Sequence, residues 1–271
     1  MLLVNGEPAA CVDPRDRGLQ YGDGVFETIT VRGGKPELWD AHLERLMAGC
    51  RVLDIPSPDP EQLAQEVAQV TADEIRCVAK LVITRGAGGR GYRKPDEPKP
   101  TRLVMRSPFP DYPSDWSDSG VVVRLCRTPL GLNPALAGLK HLNRLEQVMA
   151  RNEWQNPEIA EGLMRDSEGF VVEGTMSNLF LVDRGTLVTP RLDRCGVAGV
   201  MRNRVLELAK SLGIPAREER VTLATLQQAE GAFLTNSLLR MWPIRILKGQ
   251  DCPRATITAT LKSALDRVLE G

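Results

Sequence analysis

Phe170–Val171–Val172–Glu173–Gly174–Thr175–Met176–Ser177–Asn178–Leu179–Phe180 reads as an apolar strand ending on a carboxylate, a short polar turn, and a second apolar strand. A carboxylate there is costly to bury. It either sits on an edge facing water or pairs with a cation or a protonated ring nitrogen. Farther on, Gly196–Val197–Ala198–Gly199–Val200–Met201–Arg202 opens a predicted helix carrying Val200, Val205, Leu208 and Leu212, stopped by Gly213 and Pro215. Small residues at a helix start leave backbone N–H groups and the positive dipole end open to a phosphate, although glycine there also has purely steric uses.

Upstream, Leu139–Lys140–His141–Leu142–Asn143–Arg144–Leu145–Glu146 follows an almost uncharged approach beginning at Gly131. Leu142, Leu145, Val148 and Met149 recur at helical spacing, so Lys140 falls where a loop or strand end feeds a helix. Most such lysines reach to solvent, but a desolvated one is pushed toward its neutral, nucleophilic amine.

The 271 residues suffice for two domains, and 35 basic against 35 acidic residues leave no net field for nucleic acid or an anionic membrane. Met1–Leu2–Leu3–Val4 is too short for a signal peptide, and no apolar run approaches the length of a membrane span. Six scattered cysteines without a C-x-x-C pair, and only two histidines, favour reduced thiols in a cytoplasmic protein and no metal site.

Taken in order, Leu2–Val4, Asn5–Gly6 and Ala9–Val12 suggest a hairpin. Val25–Arg32 follows as a strand with Val25, Ile29 and Val31 on one face and Phe26, Thr28 and Thr30 on the other. Asp40 is placed to cap a helix whose inner stripe is Leu43, Leu46, Met47, Cys50 and Leu53, and a second helix starts at Asp59–Pro60. Strands are expected at 77–84 and 102–106, then at 121–127, 233–235 and 244–247, with a final helix over 257–269. Mixed elements without βαβ alternation predict an α+β fold: a small N-terminal domain over 1–113, a polar linker over 114–120 and a larger C-terminal domain over 121–271.

Gly86–Ala87–Gly88–Gly89–Arg90–Gly91 matches G-x-G-x-x-G, but Tyr92–Arg93–Lys94–Pro95 follows where a dinucleotide site needs a helix. A loop carrying cations to a substrate fits better. Arg102 and Arg106 share one face of the next strand, where they either hold carboxylates or face solvent.

A special lysine, an interior carboxylate and a phosphate seat are the three handles that pyridoxal 5'-phosphate requires. The stretches Glu173–Phe180, Leu187–Thr189 and Val197–Arg202 resemble the signature of class IV aminotransferase-like enzymes. Within that class, Gly18–Thr28, Arg85–Tyr92 and Asn133–Glu146 are similar to the aminodeoxychorismate lyase family. The resemblance implies the two-domain fold-type IV (D-amino acid aminotransferase-like) architecture and a homodimer with active sites between domains. It implies conversion of 4-amino-4-deoxychorismate to 4-aminobenzoate and pyruvate, with D-amino acid or branched-chain transamination as the alternative. By position, Lys140 carries the cofactor and Glu173 partners its ring nitrogen, while Arg45, the amides of Val200 and Met201, and Ser237 hold its phosphate. Phe26, Thr28, Tyr92, Arg90, Arg102 and Arg106 fall on the substrate wall. Branched-chain aminotransferases usually have glycine where Thr28 stands.

Overall fold

The computed structural model describes residues 1–8 and 11–270. They form two compact units, Met1–Asp111 together with Leu139–Asn143, and Tyr112–Gly138 together with the chain from Arg144 onward. The expected linker over 114–120 belongs with the second unit and contains a short helix, Trp116–Ser119, whose Trp116 ring lies 4.9 Å from that of Trp242.

In the first unit six strands form an antiparallel sheet in the order Glu7–Pro8, Leu2–Val4, Thr101–Pro108, Arg76–Thr84, Gly24–Arg32, Lys35–Pro36. The first hairpin turns at Asn5 and Gly6, both at positive φ, which brings its second strand to Glu7–Pro8. Of the expected Ala9–Val12 strand, Ala9 and Ala10 lie outside the described residues, and Cys11 and Val12 are not in a strand.

Val25, Ile29 and Val31 bury against Leu46 and Cys50 of the helix Trp39–Val52 and against Leu63, Val67 and Val70 of the helix Pro60–Thr71. Asp59 caps the second helix, accepting from the amides of Glu61 and Gln62. Asp40 does not cap the first; it lies in the first turn, where its charge suits the dipole, and Leu38 at φ 51° takes the cap position.

The second unit is a mixed nine-stranded sheet. Its main path runs Ala216–Glu219, Thr186–Pro190, Asn178–Asp183, Gly231–Asn236, Arg240–Leu247, Val121–Leu125, Ile159–Arg165, Val171–Gly174. Val171–Gly174 also bridges back to Asn178–Asp183 through Glu173 and Asn178, so both neighbours of this strand are backbone. The helix Val200–Ser211 buries Val200, Met201, Val205 and Leu208, and Gly213 follows at positive φ. The fold is α+β.

Candidate active site

Lys140 stands on a segment of the first unit that pairs with the strand Gly24–Arg32. Phe26 N donates to Lys140 O at 3.0 Å, Leu142 N donates to Gly24 O at 3.0 Å, and Val25 bridges His141. The chain is therefore extended at Lys140, and the helix begins only at Leu145. That helix buries Gln147 and Ala150 and turns the expected apolar stripe outward, leaving Leu145 70%, Val148 52% and Met149 56% exposed.

Lys140 Nζ lies 4.3 Å from the centroid of the Phe26 ring. Residues directly opposite in antiparallel strands share a face, and the register Phe26–Val82–Leu103 and Thr28–Lys80–Met105 defines the face turned away from the two helices. Lys80 is the second cation on this face, its Nζ 5.4 Å from the same ring. It was not among the expected site residues, although a lysine inside the apolar run 77–84 is itself a signal.

Arg102 and Arg106 lie on the opposite face, in register with Ile83 and Ala79. Arg102 pairs with Glu66 at 2.6 Å and Arg106 with Glu74 at 2.5 Å. This corrects the expectation that they line the wall with Phe26 and Thr28: strand parity turns them to the helix side, where acidic partners meet them. Arg90 and Tyr92 are exposed on the glycine-rich segment, which leads into a strand and not a helix. Tyr92 meets Tyr21 edge-on at 5.4 Å.

Arg45 projects from the first long helix onto Glu27, with Nε to Oε1 at 2.7 Å and Nη2 to Oε2 at 2.5 Å. His42, one turn earlier, places Nδ1 2.6 Å from Glu27 Oε2. Burial pushes the Glu27 carboxyl up, but the Arg45 charge and the hydrogen bonds from Arg45 and His42 outweigh it and bring it to about 2. Burial also pushes the His42 pKa down against the pull of Glu27, so the imidazole is neutral and its Nδ1 proton faces the carboxylate. Glu27 and His42 were not singled out from sequence; the period-2 pattern that selects Val25 and Ile29 also places Glu27 on their face.

In the second unit Glu173 is 4% exposed and accepts from Val197 N at 2.9 Å through Oε2. It is not an edge residue facing water, because its strand is paired on both sides. Gly196 packs closely beside it: a Cβ there would lie 2.7 Å from Leu192 Cδ2, 3.0 Å from Val172 Cγ1 and 3.3 Å from Glu173 Oε2. The carboxylate of Glu161 shapes the turn after Glu173, accepting from the backbone of Thr175 and Met176 and from the Thr175 and Ser177 hydroxyls.

Val200 and Met201 open a twelve-residue helix whose N-cap, Gly199, supplies no side-chain cap. Gly199 fits under Asn178, whose Oδ1 would lie 2.0 Å from a Cβ, and Asn178 Nδ2 holds Val197 O at 2.8 Å. Ser237 follows Asn236, whose Oδ1 accepts from the amides of Leu238 and Leu239. Thr235, across the ladder from Asn178, buries a hydroxyl with no protein partner among the described residues. A helix start without a side-chain cap suits a phosphate, and a buried carboxylate suits a protonated ring nitrogen.

This chain belongs to the class IV amino-transferase family, whose model matches residues 24–247. It is 37% identical to the aminodeoxychorismate lyase of Vibrio harveyi, over 98% of this chain and 100% of that one. The crystal structure of 4-amino-4-deoxychorismate lyase from Pseudomonas aeruginosa matches with a TM-score of 0.96 at 49% identity, covering 100% of both chains. A putative branched-chain-amino-acid aminotransferase of Methanocaldococcus jannaschii is 34% identical over 92% of this chain and 88% of its own.

Proposed function

We propose that this protein converts 4-amino-4-deoxychorismate to 4-aminobenzoate and pyruvate, a step toward folate. The observation that carries the reading is full-length similarity to two lyases of that name, one of them at 49% identity with a TM-score of 0.96. Pyridoxal phosphate is the cofactor, as in its family, and it supplies an electron sink when bound.

Lys140 is proposed to carry the cofactor until the substrate amine displaces it; its freed amine would then take the proton from C4 of the substrate and give it to the departing enolpyruvyl oxygen on C3. Its amine above the Phe26 ring, on a partly apolar face, supports that role. Glu173 holds the proton on the cofactor ring nitrogen, which its burial and its anchoring by the Val197 amide favour. Arg45, the amides of Val200 and Met201, and Ser237 grip the phosphate.

The substrate has two carboxylates, and Arg90 on the glycine-rich segment and Lys80 beside Phe26 are the cations proposed to hold them. Phe26, Thr28 and Tyr92 complete the wall. A homodimer is proposed because the outward stripe Leu145, Val148 and Met149 is apolar; the cytoplasm is the proposed location. No described helix is long and apolar enough to cross a membrane.

Borohydride reduction of the loaded protein, followed by peptide mass mapping, tests the assignment: the cofactor should be fixed on Lys140. Fixation on Lys80 or any other lysine would overturn it.

A further inference from the structure

Arg17 has a role that neither the reaction nor the sequence pattern assigns. It is 4% exposed, yet its whole guanidinium is engaged. Nε donates to Asp23 at 2.8 Å, Nη1 to Gly91 O at 3.1 Å and Arg93 O at 3.3 Å, and Nη2 to Tyr92 O at 3.0 Å. Asp23 also receives Arg85, at 2.8 and 3.0 Å, so one carboxylate balances two buried cations.

The backbone at Arg17 holds the other end of the same segment. Arg17 N donates to Gly86 O at 2.9 Å, Gly88 N donates to Arg15 O at 3.2 Å, and Asp16 bridges Ala87. Gly89 and Arg90 lie between these two anchorages, and Arg90 is exposed at the apex. Two glycines flank Arg90, so the loop backbone is intrinsically permissive and needs outside restraint to hold one pose.

We infer that Arg17 is a positioning residue for Arg90: by tying both ends of the 86–93 loop it fixes where the Arg90 guanidinium meets a substrate carboxylate. The inference rests on the proposed role of Arg90. A planar fork reaching three carbonyls and a carboxylate cannot be replaced by the single ammonium of lysine, although the charge is kept.

The test is a double-mutant cycle with pyridoxal-phosphate-loaded protein and 4-amino-4-deoxychorismate. Arg17→Lys should lower kcat/KM by about 10- to 100-fold, chiefly through KM, with cofactor absorbance and affinity unchanged. In the Arg90→Ala background the same change should cost less than about twofold. Independently of turnover, hydrogen exchange at the amides of 89–92 should accelerate in Arg17→Lys.

Gly88→Ala is the second probe, because its Cβ would press on Arg17 Cδ at 2.9 Å without removing the side chain. It should give a smaller loss of the same kind, also absent without Arg90, and it serves if melting shows that Arg17→Lys does not fold. Equal losses with and without Arg90 overturn the inference and leave the lyase reading intact. An Arg90→Ala protein with unchanged kcat/KM overturns the role of Arg90, and the positioning role of Arg17 with it.

Discussion

Arg45 and Glu27 meet fork to fork, at 2.7 and 2.5 Å, with the carboxylate 1% and the guanidinium 16% exposed. The buried acid fixes the orientation of a partly open cation, a preorganisation suited to gripping an anion at low entropic cost. Arg45→Ala should weaken pyridoxal phosphate binding by about 10- to 100-fold and leave pyridoxal, which lacks the phosphate, nearly unaffected. Titration of cofactor absorbance with both ligands measures this. Equal losses for both would show that Arg45 acts on the fold and not on the phosphate.

The same cluster sets a pH dependence. Glu27 falls from 4.5 to about 2 on folding, so its contribution is present above the unfolded value and is lost as pH drops toward 2. His42 is also lowered, from 6.5, and its contribution likewise fades as acid protonates it. Stability should decline from about pH 6.5 downward, with Glu27 contributing on the order of 3 kcal/mol in the acid limb. Urea unfolding against pH should show a flatter acid limb for Glu27→Gln than for the wild type. Parallel profiles would contradict this.

Arg102 and Arg106 should affect stability and spare the substrate. Arg102 and Glu66 are nearly buried, so Arg102→Ala leaves an unpaired carboxylate and should cost about 3 kcal/mol. Arg106 and Glu74 are a third exposed, and Arg106→Ala should cost at most about 1 kcal/mol. Neither should raise KM, whereas Arg90→Ala should. A raised KM in Arg102→Ala with an unchanged melting temperature would reverse the assignment.

Glu173→Gln keeps shape and removes charge. It should slow the proton-removal step by orders of magnitude while cofactor affinity changes far less, as seen by single-turnover kinetics beside cofactor titration. Normal turnover in this variant would make Glu173 an ordinary strand residue.

Strand alternation and one of the two helix starts were legible because they depend on near neighbours: the faces of Gly24–Arg32 and the Asp59–Pro60 start follow from period and local chemistry, whereas the cap expected at Asp40 falls to Leu38. What was not legible depended on partners distant in sequence. Nothing local to Arg102 announces Glu66, and nothing local to Glu27 announces His42 and Arg45. The stripe at Leu145, Val148 and Met149 shows the limit of periodicity: it marks an apolar side but not which way that side turns. Glu173 was legible as an anomaly, and the structure supplied its burial and its Val197 contact.

The most direct test of the lyase reading is incubation of the purified, cofactor-loaded protein with 4-amino-4-deoxychorismate and no added 2-oxo acid. The expected result is equimolar 4-aminobenzoate and pyruvate, abolished in Lys140→Ala. Failure to form 4-aminobenzoate, together with amino-group transfer from D-alanine or a branched-chain amino acid once a 2-oxo acid is supplied, would contradict it.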